Sequence, residues 1–255
     1  MKGWQIFRHS IRQVTGNFEA ALRVSGVLYL AQYVVGFVLL GGMAISKSGP
    51  AGMLENGLGG GFALGVIVAM VAAIVTGLWI AVGWHRFVLL GERASLVPVF
   101  RGDRMWAYFL YSLGYGLILI LIGAIWGGIV GFVIVGLLGN SVGLAVLLMG
   151  VLIYVPLLII AFRLTAALPG VALGADISFL SGWNATRGRD VEIAGLGLIV
   201  VLIVVVLELV ATLIFGNVMA LMFLWTFVMG WLQMIVGVSI LTTLYGHYIE
   251  KRDLV

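Results

Sequence analysis

No cysteine occurs in the 255 residues, which excludes disulfides, thiolate metal sites and a thiol nucleophile in one step. Charge is the next scarcity: Asp, Glu, Lys and Arg make up 9% of the chain against 63% hydrophobic residues. A chain so composed cannot turn a polar surface to water on every side, so lipid must be the solvent for most of it. Period-two alternation with short turns is missing, which removes a membrane β-barrel. The three histidines stand in separate segments without metal-ligand spacing, and the His-Glu-x-x-His, Gly-x-Ser-x-Gly and phosphate-loop patterns do not occur. No metal, no cofactor and no catalytic residue is expected.

What the chain has in abundance is continuous apolar runs of roughly 20 residues, the length a bilayer requires of a helix, at a mean hydropathy of +1.21. The pattern predicts an all-α, polytopic protein forming one integral membrane domain over residues 1–255. Residues 1–16 form a short interfacial helix: Trp4, Phe7, Ile11 and Val14 fall at helical spacing against Arg8, His9, Arg12 and Gln13, the arrangement of a basic amphipathic helix lying in a headgroup layer. The segment is too long and too charged for a signal-peptide n-region, so it reads as uncleaved. Six transmembrane helices follow at about 25–44, 62–84, 116–138, 142–162, 193–215 and 218–245. The apolar stretch from Met105 to Gly139 is too long for one upright crossing, so its start, with Trp106, Tyr108, Tyr111 and Tyr115, is expected at the interface. Ser46 to Gly61 is an exposed loop, Asn140-Ser141 a tight turn, and Pro156 is expected to bend its helix.

Two stretches of small residues predict close helix packing. Gly61, Gly65, Ala69, Ala73, Gly77 and Ala81 recur at every fourth position of the second span, and Gly123, Gly127 and Gly131 repeat that spacing in the third.

Of the 14 Lys and Arg residues, only Lys47 falls on the side of the loops opposite the termini, so the bias in basic residues puts both termini in the cytoplasm. The net charge of +4 is spread over the flanks of apolar runs, which argues for anionic membrane lipids as partners and against nucleic acid.

The polar segments also hint at a threefold repeat of a helix hairpin. Val14-Thr15-Gly16, Phe100-Arg101-Gly102 and Thr186-Arg187-Gly188 stand 86 residues apart each time, and the returning helices end in Trp84-His85-Arg86, Phe162-Arg163 and Tyr245-Gly246-His247. Each unit would be an amphipathic segment, a helix out and a helix back. The other reading is that any six-helix protein places aromatic and basic residues at its cytoplasmic ends.

The phrase Phe162-Arg163-Leu164, Ala167-Leu168-Pro169, Gly174, Ser178-Phe179, Trp183 and Thr186-Arg187-Gly188 resembles one found in uncharacterised bacterial multi-pass proteins. That group is similar to the YciC-like family and to the membrane domain attached to some glycerophosphoryl diester phosphodiesterases. Ala81-Val82-Gly83-Trp84-His85-Arg86-Phe87 is similar to a phrase in alphaproteobacterial members. The resemblance implies a six-helix body in a bacterial inner membrane and transfers no activity, since the phosphodiesterase chemistry belongs to a separate soluble domain.

Glu208 is the one ionisable residue inside an apolar run, about 22 Å along the fifth span from Ile193, and such a residue is a functional candidate by default. Three roles stay open for it: a proton or ligand site, a hydrogen bond to a packed helix or partner subunit, or a solvated crevice. Asn217, Thr212 and Thr226 are the neighbours within reach. His85, Arg86 and Arg163, with His247, and Arg187 and Arg189, are candidates for lipid phosphate. The bland alternative is that they snorkel at the interface. The expected function is a non-enzymatic accessory or organising subunit, packing against other integral membrane proteins or as a homo-oligomer. The alternative is a small transporter or lipid-handling protein using Glu208 and the cytoplasmic arginines, and a third is an enzyme acting on lipids, for which no motif speaks.

Overall fold

The computed structural model describes residues 2–44, 60–138 and 142–254. The regular elements among them are all helices, with no strand: α1 Lys2–Thr15, α2 Phe18–Ala44, α3 Gly60–Leu90, α4 Gly102–Leu138, α5 Val142–Thr165, α6 Leu168–Leu173, α7 Ser181–Ala185, α8 Asp190–Phe215 and α9 Met219–Leu244. Six of them, α2 to α5, α8 and α9, are long and apolar enough to cross a membrane. In hydrocarbon every backbone N–H and C=O must be satisfied within the segment, which an uninterrupted helix does by itself. The loop expected over Ser46–Gly61, with Lys47, and the turn at Asn140-Ser141 lie outside the described residues, as do the surroundings of Gly61.

Two sequential pairs of spans pack closely, α2 with α3 and α4 with α5, whereas α8 leans mainly on α1 and α5, and α9 on α1 and α3. Helix α9 sits among the others: Trp231, Ile235 and Ile240 are buried against α2, α3, α5 and α8. Its last turns widen into a π turn at Tyr245–Ile249.

Four expectations need correction. Helix α1 does not lay its apolar face in lipid. Ile6, Phe7 and Val14 are buried against α8, α9, α2 and α3, and a Cβ on Gly3 would sit 2.7 Å from the Glu192 carbonyl oxygen of α8. An amphipathic pattern asks only for an apolar partner, and here that partner is protein. Trp4 alone of its apolar face stays half exposed.

The small-residue repeat of α3 is not one seam. At 3.6 residues per turn a step of four overshoots by about 40°, so six positions sweep about 200° round the helix. Gly65 is buried, Ala73 is exposed, a Cβ on Gly77 would meet nothing within 4 Å, and Ala81 packs against α4 and α6. In α4 the shorter repeat does face a neighbour at two of three positions: a Cβ on Gly123 would lie 3.3 Å from Leu157 and one on Gly127 3.8 Å from Ile153, whereas one on Gly131 would meet nothing within 4 Å.

The start of α4 is not a separate surface piece. The helix runs unbroken for 37 residues, and Tyr108 and Tyr115 are buried inside the protein while Trp106 faces outward. Tyr111 and Tyr115 donate to the carbonyls of Ile177 and Phe179 at 2.6 and 2.8 Å, which holds the segment between α6 and α7 against it.

The repeat calls for three like units, but only the first two pairs of spans pack closely, and the segments that precede the pairs differ: a 14-residue helix, an irregular stretch over 91–101, and the two short helices α6 and α7. Only the helix-out, helix-back part is common to all three.

Candidate functional site

At the end of the bundle that carries both termini, a layer of polar side chains is sealed inside the core. Ser239, Thr242 and Thr243 present three hydroxyls on the last turns of α9, and each is bonded across to another helix. Trp84 Nε1 donates to Ser239 at 2.8 Å, Ser10 donates to Thr243 at 2.9 Å, and His85 Nδ1 lies 2.8 Å from Thr242 Oγ1. About two turns further in along α9, Trp231 Nε1 donates to Ser25 at 2.8 Å. In hydrocarbon these bonds replace the water that a buried polar group would otherwise lose.

His85 is fully buried in this layer. Thr242 donates its own proton to the Val238 carbonyl, so it accepts from Nδ1–H, and Nε2 is left to accept from the Tyr108 hydroxyl at 3.2 Å. A neutral imidazole satisfies every group. His85 therefore does not face a lipid headgroup, and its candidacy as a phosphate ligand is corrected to an internal bolt between α3, α4 and α9.

Arg163, at the end of α5, is clamped from all sides. Its guanidinium stacks 3.9 Å over the Trp183 ring, pairs with Asp190 at the start of α8, and donates to Thr186 at 3.3 Å. A Cβ on Gly182 would lie 2.6 Å from the Arg163 carbonyl oxygen, so only glycine lets α7 come this close. Arg163, Trp183 and Thr186, separated in the resembling phrase, thus form one packed unit that joins α5, α7 and α8.

Arg86 is likewise taken up within the chain. It donates to Glu92 through Nε at 3.0 Å and Nη2 at 2.6 Å, and to the Ala172 carbonyl at 3.1 Å. Arg101 donates to the same Glu92 oxygen at 3.0 Å. The hydrogen bond from Arg86, with the charges of Arg86 and Arg101, holds the Glu92 carboxyl below its ordinary value of 4.5, against a smaller upward push from burial. Arg189 reaches Glu192 at 3.4 Å, an oxygen it shares with Lys2, while Tyr248 donates to the other Glu192 oxygen at 2.7 Å. Of the candidate phosphate ligands, His85, Arg86 and Arg163 hold the fold together. Arg187 is exposed, with no side-chain partner among the described residues. His247 Nδ1 lies 3.0 Å from the Arg252 carbonyl oxygen in the tail.

Glu208 stands apart from all of this. It is exposed on the outer surface of α8, and among the described residues its carboxylate has no hydrogen-bond or ion-pair partner. Thr212, the nearest expected neighbour, spends its hydroxyl on the Glu208 backbone carbonyl at 2.8 Å. The side chain points away from the bundle, with Val205 and Leu209 exposed beside it.

Comparison with protein-family models, with curated proteins and with solved structures finds no match. The site has to be read from its own chemistry.

Sequence reasoning passed over two groups. Glu92 carries no motif of its own, although an acid six residues beyond Arg86 in a short polar segment is well placed to fold back on it. The Ser239, Thr242 and Thr243 hydroxyls were read as part of a span, yet three hydroxyls in one end of an apolar helix need partners in hydrocarbon.

Proposed function

We propose that this protein is a non-enzymatic accessory subunit of a bacterial inner membrane, with both termini in the cytoplasm, that docks laterally on another integral membrane protein through the outer face of α8. The observation that carries this reading is Glu208: a carboxyl exposed on the outer surface of a helix apolar enough to cross a membrane, with no partner among the described residues. Such a group costs at least about 2.5 kcal/mol in the apolar layer, and a helix from a neighbouring subunit with a donor at that depth offsets the cost. The exposed Val205 and Leu209 complete a contact surface around it. His85, Arg86, Arg163 and the Ser239, Thr242 and Thr243 hydroxyls are spent on internal bonds, which suits a scaffold. The orientation rests on the distribution of basic residues.

Purification in a gentle detergent tests the reading. The wild-type protein is expected in a complex of fixed stoichiometry that Glu208→Gln keeps, because the amide can still hydrogen-bond, and Glu208→Leu loses. A wild-type monomer, or a complex indifferent to Glu208→Leu, overturns it; a complex of identical chains would make the partner a second copy.

A second reading, a small transporter or lipid-handling protein, draws on an apolar cavity of about 340 Å³ between α8 and α9, lined among others by Phe7, Ile11, Val204, Leu207 and Met229. It would require Glu208→Gln to abolish a measured flux. Arg86 and Arg163, which it would use, are engaged in internal pairs, and this weighs against it.

A further inference from the structure

The stretch between α3 and α4 encloses a cavity of about 430 Å³ whose wall includes Arg86, Glu92, Arg93, Ser95 and Arg101. Three guanidinium groups face one carboxylate there, which leaves two positive charges in excess. Arg86 is committed to Glu92 and to a backbone carbonyl. The other two have capacity to spare. Arg93 is exposed and without a side-chain partner among the described residues, and Arg101, whose side chain is 36% exposed, uses only Nη2 on Glu92. Guanidinium N–H groups left over at a cationic cavity are satisfied by an oxyanion.

The surroundings identify the source of that oxyanion. Leu96, Val97, Val99 and Phe100, on the same stretch, are 61%, 52%, 69% and 58% exposed. Four large apolar side chains turned outward beside a cationic cavity, at the end of two membrane spans, place it in the headgroup layer, with the apolar side chains directed at acyl chains. We propose that this cavity binds the phosphate of an anionic phospholipid, held by the guanidinium groups of Arg93 and Arg101. The site is distinct from the α8 docking face and does not depend on it.

Native mass spectrometry of the full chain released from nanodiscs of mixed phosphatidylglycerol and phosphatidylcholine tests this. The wild type is expected to retain one phosphatidylglycerol in preference to phosphatidylcholine. Arg93→Gln, which removes an unpartnered surface side chain and leaves the fold intact, lowers that retention by about tenfold or more, the effect of one charge-assisted contact. Glu92→Gln raises it, because a competing negative charge is gone, and a loss of folding cannot produce that direction. Equal retention of the two lipids by the wild type, or retention unchanged in Arg93→Gln, overturns the proposal. Inorganic phosphate added to protein in uncharged detergent gives the remaining arm: if it raises the unfolding temperature as much as phosphatidylglycerol does, the site is one for a free anion and the lipid assignment falls.

Discussion

The indole N–H of Trp126 in α4 donates to the backbone carbonyl of Leu152 in α5 at 2.9 Å. Leu152 is four residues before Pro156, and proline has no N–H to return to that carbonyl. The neighbouring helix supplies the missing donor, which is how a proline is tolerated inside a membrane span.

Trp126→Phe should therefore destabilise the protein by about 1 kcal/mol, the worth of one such bond. In a Pro156→Ala background the helix closes its own hydrogen bond, and the same substitution should cost nothing beyond lost packing. A double-mutant cycle by thermal unfolding in detergent reads the difference.

Much of the fold was legible in the sequence because the bilayer fixes the length and composition of a span: all six long helices lie where the apolar runs are. What could not be read was which side of a helix meets protein and which meets lipid, since both are apolar solvents. That is why the apolar face of α1 and the small-residue repeat of α3 were assigned to the wrong neighbours. The arginines were misread for a related reason. A basic residue at a helix end looks the same whether it reaches for a headgroup or, like Arg163, for a tryptophan and an aspartate brought close by folding. Glu208 was legible as an isolated charge, and only the structure could turn it outward.

At the Arg163 clamp, burial is unequal: the Arg163 side chain is 10% exposed and that of Asp190 64%. Arg163→Gln loses the ion pair and the stacking on Trp183 together, at roughly 2 kcal/mol. Asp190→Asn, at the wetter end, should cost about 1 kcal/mol or less. Arg187→Gln, next door and unpartnered, should stay within about 0.5 kcal/mol of wild type. Chemical or thermal unfolding of the three variants ranks them.

His85→Leu fills much the same space and leaves Thr242 and Tyr108 without their partner. A loss of about 2 kcal/mol is expected, with no change in the lipids that copurify. A change in bound lipid without a change in stability would return His85 to the membrane surface.

Glu92 sets a pH dependence. Its carboxyl titrates below the ordinary value of 4.5 because Arg86 and Arg101 favour the charged form. The stability it contributes is therefore fully present above that ordinary value and is lost as pH falls through the lower, folded one. The gap in unfolding temperature between wild type and Glu92→Gln should be constant from neutral pH down to about 5 and close at more acid pH.

The central claim is that the outer face of α8 meets another protein. A photoreactive amino acid placed at Val205, one turn from Glu208 and 56% exposed, measures this in intact membranes, with Phe132 on α4, 84% exposed, as the control position. One discrete protein adduct is expected from Val205, disappearing when Glu208→Leu is added, and none from Phe132. Lipid adducts alone from both positions would contradict it.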